Sequence, residues 1–330
     1  MIDFYENGEV DPILILEQYK TYYTFLREVE PSYKDRKFTE QEELTLDYIS
    51  KILAHGKRPH ELEILKEIVE NGKVNKCIVR QHLTKQYNIE VDEISVEVAF
   101  STLQGTFVTN KTELERYICI DLMKENKEGF YERMLSFQKR LNNLEFKKQL
   151  TDVLKLGIRR YEDIYNDPIQ RRGAFVLYEK YSRRDVCHLL NWRKDLSSTM
   201  YGMKRIGNDV VIFVTYHKGE AGEEKEYLEG KPNYADEFIN NQVFMWDSQI
   251  GKGLNSSYMK DLQQAIYKHL FIKKSDAEGT DFYYMGQFDI LQTRADKKKD
   301  NKGRWKDISK VKIQMHDPVR EDLLQYLKQG

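Results

Sequence analysis

The sequence predicts an α+β protein in which a helical first half precedes a β-rich second half. Apolar residues recur at three- and four-residue steps up to about Tyr165. Short runs of β-branched and aromatic residues dominate after Asn166-Asp167-Pro168. Residues 1–165 hold 25 Lys or Arg against 30 Asp or Glu, whereas residues 166–330 hold 28 against 24. We therefore expect a helical domain over residues 1–165 and a β-rich domain over residues 166–330.

The first half reads as a series of helices. Thr39 and Glu42 form a capping box, and apolar residues then repeat with helical spacing. Another apolar stripe ends at Asn71-Gly72, a typical helix stop. Further helices are predicted over residues 75–87, 92–103, 112–124 and 131–154.

Residues 59–108 also have the outline of a winged helix, with three short helices followed by a strand. Ordinary helices of a bundle are the alternative. The third helix carries Asp92, Glu93 and Glu97, which phosphate would repel, so we expect a packing or coupling role for this segment.

The second half alternates short strands with polar loops. Residues 182–190 predict a helix with an S-x-x-D cap, and residues 318–327 predict a final helix that begins at a proline. Strands are predicted over residues 210–216, 242–246, 270–274, 282–291 and 311–315, and charged loops over residues 218–233 and 295–306. Such strands favour a small curved sheet or a partly open barrel.

Composition and motifs exclude several classes of protein. With 40% hydrophobic and 32% charged residues the chain can fold, and no apolar run reaches the ~20 residues of a membrane span. The acidic start lacks the charge pattern of a secretory signal. Three scattered cysteines give no disulfide framework or Cys-based zinc site and fit a cytoplasmic location. GxxxxGK[ST], GxSxG, HExxH and GxGxxG motifs do not occur.

One weak catalytic pattern remains. Asp209 followed by Glu229 and Lys231 echoes the D…ExK arrangement of metal-dependent nucleases, although the second part lies where Glu is frequent. None of the seven His residues is paired with another at metal-ligand spacing beside a carboxylate. We therefore expect no catalytic residues, no metal site and no enzyme activity from this chain alone.

Aromatic residues of the second half lie near hydroxyls and cations at Trp192–Gly202, at Thr215–Lys218 and at Phe244–Ser248. Rings beside cations suit a flipped or single-stranded base, because the ring stacks on the base and the cation neutralises phosphate. Packing in a hydrophobic core is the alternative for each ring. Phe244 and Trp246 share one face of an alternating strand, and that face could be the core.

A family resemblance rests on five segments: FVLYEKYSRRDVC (175–187), LLNW (189–192), STMYG (198–202), FVTYHK (213–218) and EGTDFYYMG (278–286). They resemble the C-terminal domain of unknown function in bacterial DEAD/DEAH-box helicase-like proteins. The resemblance is dense over residues 172–315. It implies the C-terminal part of an ATP-dependent type IV restriction enzyme, made of a helical coupling region and an SRA/PUA-like curved β-barrel.

The resemblance implies that the second domain extrudes a base from duplex DNA and reads 5-methylcytosine or 5-hydroxymethylcytosine. From residue chemistry, the candidates for the base pocket are Tyr201, Tyr216, Phe244, Trp246, Asp247, Ser248 and Asp281. The candidates for phosphate binding are Arg183, Arg184, Arg193, Lys194 and Lys218.

The implied partners are double-stranded DNA with modified cytosine and the helicase motor and nuclease domains of a parent protein, with no membrane. ATP and Mg²⁺ would bind those other domains, and this chain would hold no cofactor. Two alternatives stay open. One is a protein–protein module that docks on the motor without touching a base, and the other is the nuclease of Asp209, Glu229 and Lys231.

Overall fold

A computed structural model describes residues 1–8, 10–89, 91–217, 236–300 and 302–329. The chain divides into two compact units. Unit 1 comprises Met1–Ile169 together with Asn191–Asp195, and unit 2 comprises Gln170–Leu190 and Leu196–Gly330. Among the described helices, none combines the length and the apolar composition that a membrane-crossing segment requires.

Unit 1 consists mainly of helices, as predicted. They are α1 (Ile2–Asn7), α2 (Pro12–Tyr19), α3 (Tyr22–Val29), α4 (Glu40–Leu53), α5 (His60–Asn71), α6 (Lys76–Tyr87), α7 (Glu93–Leu103), α8 (Lys111–Tyr117), α9 (Leu135–Leu141) and α10 (Leu144–Arg160). The strands are β1 (Lys73–Asn75), β2 (Met123–Glu125) and β3 (Phe130–Arg133), paired antiparallel in the order β1-β3-β2. The predicted capping box of Thr39 and Glu42 is confirmed at the start of α4.

The three helices of the winged-helix outline over residues 59–108 are present as α5, α6 and α7, but the predicted strand does not follow α7 among the described residues of that segment, and the hairpin of β2 and β3 comes only after α8. Most of α7 is buried, and its exposed positions near the start include Asp92 and Glu93. Glu97 is half-buried and lies 3.3 Å from Lys76 Nζ. An acidic, largely buried third helix suits packing rather than contact with phosphate.

Two predictions in unit 1 are wrong. The helix expected over residues 131–154 is divided into β3, α9 and α10, because Asn143 caps α10 by accepting the N–H of Glu145 and Phe146. The helix expected over residues 112–124 ends at Tyr117, and β2 follows six residues later. In both segments the helical spacing of apolar residues continues past the end of a helix. The boundary is set by the Asn143 cap in the first segment and by the pairing of β2 with β3 in the second.

Unit 2 is built on a mixed sheet. Its elements are β4 (Arg171–Arg172), β5 (Phe175–Val176), β6 (Lys180–Tyr181), α11 (Arg183–Leu189), β7 (Met203–Ile206), β8 (Asp209–Thr215), β9 (Glu237–Phe238), β10 (Val243–Asp247), α12 (Ser257–Gln264), β11 (Tyr267–Lys273), β12 (Phe282–Lys299), β13 (Trp305–Met315) and α13 (Glu321–Lys328). The sheet order is β7-β8-β11-β12-β13-β10-β9, with β6 on β12. The described strands leave this sheet open, with β7 and β9 at its ends. The α+β class, with a helical part followed by a large sheet, is thereby confirmed.

β12 is the longest strand, with 18 residues. Its first part pairs with β6 and β11, and from Phe288 onward it pairs with β13. The predicted loop over residues 295–306 is wrong, because most of this segment is paired strand: β12 continues to Lys299, and β13 begins at Trp305. Lys and Asp are disfavoured in strands, which is why the composition predicted a loop.

Unit 2 buries side chains on both faces of its sheet, with Phe213 stacked on Phe271 on one face. A hydrophobic core lies on the opposite face. It combines strand residues such as Ile212, Leu270 and Ile313 with Leu262 of α12 and Leu327 of α13. Phe244 and Trp246 belong to the same core and are 0% and 3% exposed.

Gly157→Ala tests the close packing of α4, α5 and α10. An added Cβ would lie 2.5 Å from the Leu53 carbonyl oxygen and 2.7 Å from Leu62 Cδ2. This clash outweighs the helix propensity that alanine gains, about 1 kcal/mol. We expect the free energy of unfolding to fall by about 1–3 kcal/mol in urea denaturation. Lys155→Ala, on an exposed position of the same helix, is the control and should change it by less than about 0.5 kcal/mol.

Trp246→Ala tests whether this ring packs the core. Removing a buried tryptophan should lower the free energy of unfolding of unit 2 by about 3–5 kcal/mol. Tyr201→Ala is the control, because that ring is 67% exposed and its loss should cost less than about 1 kcal/mol. Equal stability of the two variants in urea denaturation would contradict the core assignment of Trp246.

Candidate nucleic-acid interface

Arg183 and Tyr201, which the sequence placed in different roles, lie together in the structure. The Arg183 guanidinium carbon is 5.9 Å from the centroid of the Tyr201 ring, 5.3 Å from that of Phe213 and 4.9 Å from that of Phe282. Phe213 and Phe282 are buried, whereas Tyr201 is 67% exposed. We call these four residues the arginine–aromatic cluster. It presents one cation and one accessible ring side by side.

Local sequence fixes the position of Arg183. Ser182 caps α11, its hydroxyl accepting the N–H of Asp185, while the Asp185 carboxylate accepts the N–H of Ser182. This confirms the predicted cap. Arg183 is therefore the first residue of a helix that begins directly after β6.

Tyr201 is positioned by the turn before β7. Gly202 has a φ of +73°, and its carbonyl accepts the N–H of Phe213 at 2.7 Å. An added Cβ at Gly202 would lie 3.1 Å from both Gln249 Nε2 and Tyr258 Oη. The close approach favours glycine and holds the backbone of Tyr201 beside β8.

The charge of Arg183 is compensated only in part, by the more distant Asp276 and Tyr201, whose effect on its pKa is smaller than that of burial. The described part of the chain contains no carboxylate in an ion pair with it, and its Nε is buried without a hydrogen-bond partner. Burial lowers the pKa of the guanidinium from its ordinary value. Lys273 approaches the same Phe282 ring at 5.0 Å, but its charge is paired with Asp276 at 3.0 Å. A bound anion would balance the charge of Arg183.

Two of the predicted pocket rings point elsewhere. Phe244 and Trp246 pack in the core with Ile212 and Val214, and successive side chains of a strand point to opposite faces. Phe213 of the arginine–aromatic cluster therefore lies on the opposite face of β8. No ring contact joins Tyr201 to Trp246 among the described residues. In this arrangement Phe244 and Trp246 offer no face to a base.

The remaining aromatic candidate, Tyr216, lies at the edge of the core and is half-buried. Its hydroxyl accepts the N–H of Phe238 at 3.2 Å, and its ring is stacked with Phe238 at a centroid distance of 6.5 Å. Asp281 is half-buried and accepts a hydrogen bond from the Thr280 hydroxyl at 3.1 Å.

Asp247 and Ser248, predicted to read a base edge, bind other parts of unit 2. Lys298 Nζ of β12 lies 2.6 Å from the Asp247 carboxylate, which is 2% exposed. Ser248 is fully buried, accepts the N–H of Ser309 at 2.8 Å and donates to the Lys252 carbonyl at 2.7 Å. These two residues fasten β12 and β13 to the end of β10.

The predicted phosphate residues are divided between the two units. Arg184 is half-buried next to Arg183 on α11. Arg193 and Lys194 are exposed but belong to unit 1, where Arg193 lies 3.5 Å from Glu97. Lys218 lies outside the described residues, as do Glu229 and Lys231 of the nuclease hypothesis.

Asp209, the first residue of that hypothesis, is hydrogen-bonded to His269 Nε2 at 3.3 Å. On its other side His269 contacts the Tyr284 hydroxyl at 3.1 Å, and burial raises the pKa of Tyr284. Among the described residues, no group of three His, Cys, Asp or Glu side chains is placed to hold a metal ion.

Comparisons with known proteins assign each half of the chain to a family model without a function. Residues 1–163 match "Domain of unknown function (DUF8090)", and residues 175–327 match "Domain of unknown function (DUF3427)". No curated protein matches the chain significantly.

Three solved structures share distant similarity. KRYPTONITE in complex with mCHG DNA and SAH matches at 12% identity and a TM-score of 0.28, with 56% of this chain and 42% of that chain covered. The sulfur binding domain and SRA domain of ScoMcrA complexed with phosphorothioated DNA match at 11% identity and a TM-score of 0.25, with 88% of this chain and 96% of that chain covered. The type IV phosphorothioation-dependent restriction endonuclease ScoMcrA matches at 9% identity and a TM-score of 0.26, with 89% of this chain and 58% of that chain covered. The chain thus spans less than half of the first of these proteins.

Proposed function

We propose that unit 2 binds duplex DNA and that the arginine–aromatic cluster contacts it. The observation that supports this is the Arg183 guanidinium, held against three rings without a carboxylate partner in the described structure, beside the exposed ring of Tyr201. A phosphate would balance the cation, and a base would stack on the tyrosine. Both contacts are ordinary for a nucleic-acid surface.

The finer proposal is that the chain is the recognition and coupling part of an ATP-dependent type IV restriction enzyme of the SauUSI kind. In that case unit 2 would read 5-methylcytosine or 5-hydroxymethylcytosine in a flipped base. This part of the proposal comes from the resemblance of residues 172–315. Because Phe244 and Trp246 lie in the core, we place the stacking contact at Tyr201 instead.

Energetics bound the expected discrimination. Extruding a base costs a few kcal/mol, which stacking at about 1–3 kcal/mol per base partly offsets. Burying one methyl group returns about 0.8 kcal/mol, equivalent to roughly a fourfold change in affinity. A reader of 5-methylcytosine built this way discriminates modestly at each site.

A titration of the full chain with matched duplexes tests the proposal. Wild type should bind the 5-methylcytosine duplex about fourfold more tightly than the unmodified duplex at the same salt concentration. Tyr201→Ala should weaken binding by about 5- to 150-fold through the lost stacking. Arg183→Gln should also weaken binding, and it should reduce the salt dependence.

Tyr267→Ala is the matched control, because Tyr267 is a 49% exposed tyrosine at the amino end of β11, away from the cluster. It should bind like wild type. Equal affinity of wild type for both duplexes would contradict the proposal that unit 2 recognises 5-methylcytosine. Unchanged binding by both cluster variants would remove the cluster from the interface.

A second function, docking on a helicase motor without base contact, is favoured by apolar exposure in unit 1. Ile118, Leu135 and Leu144 are 84%, 80% and 81% exposed. Exposed aliphatic side chains of this size are typical of protein contacts when they lie together. A chain that bound the motor but neither duplex would support this function in place of the first.

A further inference from the structure

We propose that the distal part of the β12–β13 hairpin, residues 294–300 and 302–306, contacts the phosphate backbone of duplex DNA. We call this segment the basic hairpin. The identity of the partner as DNA rests on the function proposed above, but the hairpin is a separate surface. None of its residues is among the candidates that the sequence chemistry or the resemblance indicated.

The basic hairpin concentrates positive charge. It contains seven Lys or Arg and two Asp, a formal net charge of +5 in a chain whose net charge is −1. Six of the seven basic side chains are exposed: Arg294, Lys297, Lys299, Lys302, Arg304 and Lys306. A local cation density of this kind attracts a polyanion.

Most of this charge is not neutralised within the fold. Arg304 pairs with Asp300 at 2.8 Å, and Lys297 reaches Asp307 only at 4.0 Å. Arg294, Lys299, Lys302 and Lys306 form no ion pair with any carboxylate in the described ranges. Four cations therefore project from one short ribbon toward solvent.

Trp305 adds an apolar contact to the same tip. It stands opposite Lys299 in the strand register, and Lys299 Nζ lies 5.4 Å from the centroid of its ring. Trp305 is 64% exposed, whereas Trp192 and Trp246 are 4% and 3% exposed. A ring beside a cation can pack against a sugar or stack on a base.

Protection of a sheet edge is the simpler explanation for the lysines. Charged side chains on an edge strand prevent pairing with other molecules. That purpose does not require an exposed tryptophan, and an exposed ring would itself promote association. Contact with a nucleic acid explains the lysines and the ring together.

Buried polar contacts hold the base of the hairpin in place. The Asp247 carboxylate binds Lys298 Nζ of β12, and the Ser248 hydroxyl accepts the N–H of Ser309 of β13. At the tip, the backbone N–H and side chain of Arg304 and the N–H of Lys302 lower the pKa of Asp300 to about 2. A ribbon ordered before binding loses less conformational entropy on contact with DNA.

The shape suits the double helix. A two-stranded antiparallel ribbon is narrow enough to enter the major groove, and lysines along its length can reach the phosphates on either side. Contacts to phosphate do not depend on sequence, so the basic hairpin would supply affinity and orientation while another site reads the base.

Charge removal at the tip is the first test. The triple variant Lys299→Gln, Lys302→Gln, Lys306→Gln removes three cations without an ion pair among the described residues. We expect the slope of log binding constant against log salt concentration to become less steep by about 2–3. The affinity at low salt should fall at least tenfold, with the ratio between methylated and unmodified duplexes unchanged.

The triple variant Lys111→Gln, Lys124→Gln, Lys127→Gln is the matched control. It removes the same charge from exposed positions of unit 1 and should keep the wild-type slope. Urea denaturation checks that both triple variants remain as stable as wild type.

Fluorescence gives an independent readout. The other two tryptophans are buried, so the emission that acrylamide quenches in the unbound protein comes mainly from Trp305. Saturating duplex DNA should protect this emission from acrylamide, and Trp305→Phe should remove the quenchable component.

The possible outcomes separate the two proposals. If the protein binds DNA, the triple variant of the hairpin keeps the wild-type salt slope and DNA does not protect Trp305 from acrylamide, only the role of the hairpin is overturned. If the triple variant of the hairpin weakens DNA binding but wild type does not prefer methylated DNA, only the proposal that unit 2 recognises a modified base is overturned. Binding to neither duplex overturns both proposals. Tighter binding to an RNA duplex of the same sequence, or to an acidic polypeptide, overturns DNA as the partner of the hairpin.

Discussion

Strand β12 is the element on which the organisation of unit 2 depends. Over its 18 residues it pairs first with β6 and β11 and then with β13. Phe282 at its start supports Arg183, and its far end forms one strand of the basic hairpin. A single continuous strand thereby fixes both candidate DNA contacts to the same hydrogen-bonded frame, because neither end can shift without breaking ladder bonds.

Buried polar residues make that frame specific. A carboxylate as buried as that of Asp247 is stable only when it is paired, and Lys298 supplies the partner from the next hairpin. The pairing fixes which residues of β12 lie beside the end of β10. Ser248 does the same for β13 by accepting the N–H of Ser309. Asp247 and Ser248 have side chains that could read a base at an open site, but here they fix the position of the β12–β13 hairpin.

The sequence predicted the local features well. Capping patterns at Thr39 and Ser182 and the buried strand that became β8 each depend on neighbouring residues, and all are present. The final helix is also present, although it begins at Glu321 and not at Pro318 as predicted. Alternation also placed Phe244 and Trp246 on a common face. It could not tell whether that face is the core or a pocket, because this depends on α12, α13 and distant strands.

Long-range pairings account for the features that the sequence did not predict. The composition of the three-lysine run predicted a loop, because such residues are rare in strands, yet β13 supplies partner residues six to ten positions later. Arg183 and Tyr201 come together because Arg183 lies against Phe213 of β8 and Phe282 of β12, while Gly202, next to Tyr201, accepts the N–H of Phe213. No spacing in the sequence encodes these contacts. Phe244 and Trp246, two candidates for the base pocket, lie in the core, whereas the pocket candidate Tyr201 is exposed and lies beside the phosphate candidate Arg183.

The most direct test of the central claim is hydrogen–deuterium exchange of the full chain with and without a saturating duplex that contains 5-methylcytosine. Our account predicts slower exchange in two parts of unit 2, around the arginine–aromatic cluster and along the basic hairpin. Protection confined to unit 1, or to segments of unit 2 away from both surfaces, would contradict it.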